Sequence, residues 1–429
     1  MFLASLVAMK RGQALRSAAH GEADVVELAN SAAVTRSAIR DAGGQPPAPA
    51  EAVAPLAAVG AAPWRALAER AVEPNGYYLP EWALAVSGSA RGRTDASALS
   101  VWSDPASVQP GATRLIGLMP VVSLWRAFAI PLPALVSAHP YGTLCTPLID
   151  RDSTLEGVRR LLMAAREAGA HALILRDMAV DGAAMRAIAE VLREDGLCPD
   201  LLRSHRRACL DATRNGDELL RDALGPRKLK ELRRQRHRLV DHGAVAFDVA
   251  RTPQAVEAAI EGFLMLEASG WKGRRGTALA QHAGDAAFVR RATVALAAHG
   301  QCELVTLRAG LVPVAAAIVL RHQDRAFYFK LGIDERFARL SPGVQLTLEL
   351  TRHLCADPAI ASADSMAGAD HPMINPIWRG RLAIGDVLIP LRPRDPVVAM
   401  IGKAMRLRAC VHEWARGAVG LIRNRRRAK

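Results

Sequence analysis

Residues 336–345, RFARLSPGVQ, set two arginines beside a Ser-Pro-Gly turn, a combination suited to holding an anion. Ser341 has the side chain of a helix N-cap, and Pro342 fits the first helical position, where its missing N–H costs nothing. The backbone N–H groups of Gly343, Val344 and Gln345, at the positive end of a helix dipole, would then face a pyrophosphate, with Arg336 and Arg339 beside it. Gly343 has no Cβ to hold a phosphate away. The same residues would also make an ordinary capped helix with water at its end, and the motif alone does not separate the two.

The residues after Gly343 decide between helix and strand. Val344, Leu346, Leu348 and Leu350 alternate as on a half-buried strand, but Leu346, Leu350 and Leu354 also recur at i, i+4 and i+8. Asp357-Pro358 supplies a stop just after Cys355, so the spacing predicts a helix. Upstream, CELVTLRAG, LVPVAAAIVLRHQD and RAFYFKLGI read as three strands of an antiparallel meander that delivers the chain to this helix. A strand over 360–366 and a last strand or hairpin over 381–391 come after it. Trp271, Lys272 and Arg275 lie in a loop with Gly270, Gly273 and Gly276; this loop either contacts a ligand or lodges its Trp in a groove of the protein.

The remaining chain repeats the theme. Helices over 64–70, 155–168 and 182–194 alternate with strands over 98–102, 114–125, 171–178 and 206–212, and a Pro/Gly turn separates the first two strands. A basic helix over 226–239, a strand over 244–250 and helices over 253–268 and 285–299 open the second half. The common order of elements indicates a diverged duplication and an α+β fold with a mixed sheet in each half. Residues 1–62 read as a poorly ordered Ala/Pro-rich leader, 63–215 and 226–392 as the two domains, and 395–429 as a basic amphipathic helix. In that last segment Val398, Ile401, Met405, Leu407, Trp414 and Val419 stand among basic residues, which suits either an anionic membrane surface or packing on the protein itself.

Bulk properties bound the function. The chain has 429 residues, half of them hydrophobic, enough to bury a sizeable core. Its net charge of +14 and pI near 10.2 call for an anionic partner: a phosphorylated cofactor, nucleic acid or an acidic membrane. The six cysteines are scattered without CxxC or a His cluster, so neither a metal site nor a disulfide framework is expected, and reduced thiols fit a cytoplasmic protein. The opening MFLASLVAMKR carries Lys10 and Arg11 after its apolar run, the wrong order for a secretory signal. GxSxG, Walker, GxGxxG and HExxH motifs do not occur in the positions that serine hydrolases, P-loop enzymes, Rossmann dehydrogenases and zincins require.

The ordered motifs EASGWKGRRGTAL, CELVTLRAGLVPVAAAIVL, FKLGIDERFARLSPGVQL and SADSMAGADHPMINPIW resemble the CelD/BcsL group of GNAT-type acetyltransferases, linked to cellulose and exopolysaccharide production. The resemblance covers about 226–391 and implies two tandem GNAT-like units, the first degenerate. It implies acetyl-CoA as co-substrate, with its pyrophosphate on Arg336, Arg339, Ser341, Gly343, Val344 and Gln345 and its pantetheine arm along Lys330 and Leu331. One Gly and two Arg residues stand where the family's loop has a denser Arg/Gln and Gly pattern. Asp364 matches the family's recurring acidic position, and with His371 it becomes a candidate base; Tyr328 becomes a candidate donor to the leaving thiolate, or a core residue. Trp271, Lys272 and Arg275 become candidate contacts for an amine or sugar acceptor. A Fem-like aminoacyltransferase using charged tRNA and a non-catalytic subunit of a polysaccharide-synthesis complex remain alternatives. The basic helix over 226–239 has no interleaved aromatics, which argues against nucleic acid and for a CoA phosphate, an anionic acceptor or plain solvent.

Overall fold

The longest apolar run of the chain, VPVAAAIVL, lies in a strand covered on both faces. Ala316, Ile318 and Leu320 enter one core while Ala315, Ala317 and Val319 enter another, so an unbroken apolar run replaces the alternation of a half-exposed strand. The computed structural model describes residues 53–104 and 113–427; the leader up to residue 52, the turn expected between the first two strands, and the last two residues lie outside the described residues.

In chain order the first half comprises β1 (Val53–Pro55), α1 (Ala61–Glu69), α2 (Pro80–Ser89), β2 (Ser97–Trp102), β3 (Leu115–Ser123), α3 (Leu124–Phe128), β4 (Ala134–Ser137), β5 (Leu148–Ile149), α4 (Thr154–Glu167), β6 (Ala172–Ala179), α5 (Ala183–Glu194) and β7 (Asp200–Asp211). The second half comprises α6 (Gly216–Val240), β8 (Val245–Ala250), α7 (Pro253–Ser269), α8 (Trp271–Arg274), α9 (Ala283–Ala297), β9 (Cys302–Ala309), β10 (Val312–His322), β11 (Arg325–Ile333), α10 (Pro342–Cys355), β12 (Ser362–Asp364), β13 (Gly380–Pro390) and α11 (Pro396–Arg427).

The fold is α+β, as expected, but the two sheets are joined into one, ordered β1-β2-β3-β4-β6-β13-β7-β12-β11-β10-β9-β8 with β5 on β3. The halves exchange strands at the centre. β7, from the first half, pairs with β12 of the second, and β13, from the second, pairs with β6 of the first. Each half contains one parallel pair whose strands are linked through a helix: β4 and β6 through α4, and β11 and β12 through α10. Helices α4, α5, α7 and α9 cover one face of the sheet, while α6 and α10 cover the other.

Several boundaries differ from the sequence reading, each for a local reason. The strand expected over 114–125 ends at Ser123, whose hydroxyl accepts the Arg126 N–H and caps α3. Within the segment read as leader, Val53–Pro55 pairs with β2 and Leu56 is buried, so the fold begins before residue 63. The helix expected from 226 starts at Gly216, capped by the Asn215 side chain; Gly225, at φ 69°, ψ 169°, and Pro226 break it, so the predicted segment is its second part. Helix α2 was not anticipated, although Pro80 at its first turn and Glu81 beside it are N-terminal signals.

Candidate functional site

β11 and β12 run parallel through three residue pairs, ending with Phe327 beside Asp364, and then part. β11 continues to Ile333 with β10 on its other edge, whereas the chain after β12 turns away. Met366 sits in the left-handed region at φ 53°, and its carbonyl oxygen accepts the Thr143 hydroxyl at 3.3 Å, which draws it toward the first half. The wedge between them is a cleft of about 350 Å³. Trp271, Lys272, Phe329, Lys330 and Leu331 line one side, and Ser365, Met366, His371 and Met373 the other. The sequence-predicted residues Trp271, Lys272, Tyr328, Lys330, Leu331 and His371 are thus brought together.

Glu267, which the sequence reading missed, organises the cationic wall. Its Oε1 accepts from Lys272 Nζ at 3.3 Å and from Lys330 Nζ at 3.2 Å, while its Oε2 accepts the Leu279 N–H at 2.9 Å. Lys272 Nζ also donates to the Leu331 carbonyl oxygen at 2.9 Å, on the part of β11 that lies beyond its pairing with β12. Burial, opposed by Glu267 and reinforced by Lys330, lowers the Lys272 pKa. Two lysines share one buried carboxylate, so the wall keeps a surplus positive charge. The signal available in the sequence was a lone Glu in the apolar run FLMLEAS, five residues ahead of Lys272.

Across the cleft, burial lowers the His371 pKa, so its imidazole is neutral at pH 7. The Met373 N–H donates to His371 Nδ1 at 3.3 Å, leaving the ring proton on Nε2. The first half supplies Tyr141, whose ring lies 5.7 Å from Lys330 Nζ and whose hydroxyl donates to Asp285 Oδ2 at 2.8 Å.

Other candidates do not stand as expected. Asp364 is buried; its Oδ2 accepts from Arg207 and its Oδ1 accepts the Met366 N–H, so both oxygens are engaged and neither reaches the cleft as a free base. Tyr328 points its hydroxyl into the core beneath α10, 3.2 Å from Thr347 Oγ1, and burial pushes its pKa far up. Ser341 adopts φ 52°, ψ 51° and its side chain makes no capping bond. The Gln345 N–H is used by the Ser341 carbonyl at 3.0 Å and its side-chain amide donates to the Leu232 carbonyl, so Gln345 offers nothing to an anion. Gly343 serves packing: a Cβ there would meet Leu331 Cδ2 at 3.0 Å and Ile333 Cγ2 at 3.2 Å.

Gly343 and Val344 precede the first intrahelical bond, and their N–H groups are the first-turn donors left to an anion. Arg336 is held by Asp334 through its Nη2 at 2.7 Å, whereas Arg339 is exposed and forms no ion pair among the described residues. Arg275 stacks over the Trp271 ring at 5.0 Å. In the first half, the counterpart of α10 is α4. Asp150, Asp152 and Glu156 stand at its start, each ion-paired: Asp150 with Arg70 and Arg114, Asp152 with Arg114 and Glu156 with Arg160. Among the described residues no group of His, Cys, Asp and Glu could hold a metal ion.

Residues 226–371 match the family described as the acetyltransferase (GNAT) domain. No curated protein matches the sequence. Among solved structures, FemX is similar at a TM-score of 0.52 and 12% identity, over 80% of this chain and 98% of that chain. The tandem GNAT protein from the clavulanic acid biosynthesis pathway is similar at 0.38 and 14% identity, over 80% of this chain and 99% of that one. L-PGS from Bacillus licheniformis is similar at 0.42 and 14%, over 68% and 86%. The chain thus shares its α+β fold with FemX over most of its length, and the sequence resemblance is met at the level of the GNAT domain over residues 226–371.

Proposed function

We propose that this protein, whose residues 226–371 match the GNAT acetyltransferase domain, moves an acyl group from an acyl-CoA, acetyl-CoA in the simplest case, to an amine or hydroxyl acceptor. The observation that carries this reading is the parting of β11 and β12 into a cleft beside the start of α10. A slot of that volume suits a pantetheine arm. The Gly343 and Val344 N–H groups and Arg339 would hold the pyrophosphate.

In the reaction the acceptor's nitrogen or oxygen attacks the thioester carbon, the C–S bond breaks, and CoA leaves as a thiolate that takes up a proton. His371, neutral with its proton on Nε2, supplies a donor for the carbonyl oxygen or the thiolate. The Lys272, Lys330 and Glu267 wall favours the negative charge that develops in the transition state. With Asp364 engaged by Arg207, the acceptor's proton leaves through water or enters solution from an acceptor that is already neutral. The first half meets the cationic wall through Tyr141, whose ring lies beside Lys330. The scattered cysteines suggest a cytoplasmic setting and the resemblance a place in cellulose or exopolysaccharide synthesis, with an amine or a sugar as the acceptor.

Thiol release from acetyl-CoA, measured against a panel of amines and sugars, tests the reading. His371→Ala and Lys272→Met should each slow release by more than tenfold, on the scale of a lost transition-state donor. Equal rates in wild type and both variants would reject it.

A second reading, aminoacyl transfer from charged tRNA, is favoured by one observation. Arg227, Lys230, Arg233, Arg234 and Arg238 on the second part of α6 are exposed and form no ion pair among the described residues. Tight, salt-sensitive tRNA binding without acetyl-CoA binding would select it.

A further inference from the structure

Helix α11 changes surroundings along its length. Ile401 and Met405 are buried against Leu388, Val136, Ala172 and Ile174, and Arg408 lies over the Phe128 ring at 4.4 Å. Those contacts fasten the helix to β13, β4, β6 and α3 and fix its rotation. About 120° round the helix from that packed face, Met400, Leu407, Val411 and Trp414 recur at intervals of seven, four and three residues and so form one stripe. The stripe faces water: these side chains are 50%, 66%, 58% and 79% exposed. The two alternatives left open by the sequence are thus divided between two faces of one helix, with Ile401 and Met405 packed on the protein and Leu407 and Trp414 left uncovered.

Charge selects what covers the stripe. Between Pro396 and Lys429 the chain carries nine Lys or Arg residues against Glu413 alone. A second copy would bring the same positive charge to the seam and be repelled. No helix among the described residues is long and apolar enough to cross a membrane, so a lipid contact must run along the surface. An apolar stripe that includes Trp, flanked by cations, matches the headgroup boundary of an anionic bilayer. We infer that α11 beyond its anchored turns lies in the surface of an anionic lipid bilayer, with Leu407, Val411 and Trp414 turned into it. This stands independently of the acyl-transfer reading, because none of these residues lines the cleft.

The test is co-sedimentation of the full-length protein with phosphatidylcholine vesicles, with and without phosphatidylglycerol. The protein should sediment only with the anionic vesicles, and less so as salt is raised. Leu407→Ser with Trp414→Ser should weaken binding by about tenfold or more while leaving the melting temperature unchanged, since both side chains are exposed. Arg423→Gln with Arg425→Gln should weaken binding and flatten its salt dependence. Three outcomes would overturn the inference: no binding to anionic vesicles at low salt, undiminished binding by the Leu407/Trp414 variant, or a dimer in ultracentrifugation that this variant dissolves.

Discussion

Arg207 and Asp364 form an ion pair out of reach of solvent, with Nη2 2.5 Å from Oδ2 and the two side chains 0% and 1% exposed. Arg207 stands on β7 and Asp364 on β12, so the pair joins the strand that the first half lends to the second, and Arg207 also donates to the Thr143 carbonyl oxygen at 2.6 Å. A carboxylate placed in this way holds the halves together. Asp364→Ala leaves a guanidinium buried without its counter-charge and should cost about 3–5 kcal/mol in urea unfolding. Adding Arg207→Leu should recover part of that loss. A variant that kept full stability and lost only activity would instead make Asp364 a base.

Tyr328→Phe removes one hydrogen bond to Thr347 and keeps the ring beside Trp378, 5.9 Å between centroids. The expected loss is about 1 kcal/mol, with thiol release near the wild-type rate. A collapse in the rate at unchanged stability would return Tyr328 to the site.

How far the sequence was legible depends on the kind of signal each feature leaves. α10 could be read from Leu346, Leu350 and Leu354 and from its Pro stops, and the meander from its turns, because those are local patterns. The cleft lysines were legible as cations in a Gly-rich loop and at a strand end. Arg207 was not, because β7 also carries Arg203 and Arg206 and nothing local distinguishes the buried one. The exchange of β7 and β13 was hidden too, since strand order depends on contacts between residues about 170 apart, such as Arg207 with Leu382. Ser341 looked like an N-cap by type, but its left-handed backbone turns the residue out of the capping geometry.

Glu267→Gln leaves Lys272 and Lys330 together without their carboxylate. Stability should fall by about 3 kcal/mol at neutral pH. In the variant Lys272, buried and without its counter-charge, holds its proton less tightly folded than unfolded, so the deficit should narrow as pH rises toward about 10. A deficit independent of pH would mean that the carboxylate acts only through its bond to the Leu279 N–H.

His322, on β10, is buried and bridges to the first half: Nδ1 accepts the Asn75 N–H at 2.8 Å, and Nε2 donates to the Ala68 carbonyl oxygen at 2.9 Å. Burial lowers its pKa to about 4. The unfolded chain therefore takes up the proton first as pH falls, and the stability from neutral His322, present above pH 6.5, is lost between pH 6.5 and 4. The shift corresponds to about 3 kcal/mol. His322→Gln should flatten the stability profile across that window, with the remaining slope shared by His139, which burial lowers to about 3, and by His205 and His371, which burial also lowers. An unchanged profile would contradict the assignment.

Whether the wedge between β11 and β12 receives an acyl-CoA is read most directly by calorimetric titration of the full-length protein with acetyl-CoA. Saturable binding of one acetyl-CoA per chain is expected, abolished by Gly343→Asp, which sets a carboxylate and added bulk against Leu331, Ile333 and Met373 at the start of α10. Folded wild-type protein that binds neither acetyl-CoA nor CoA, or a Gly343→Asp variant that binds as well as wild type, would contradict it.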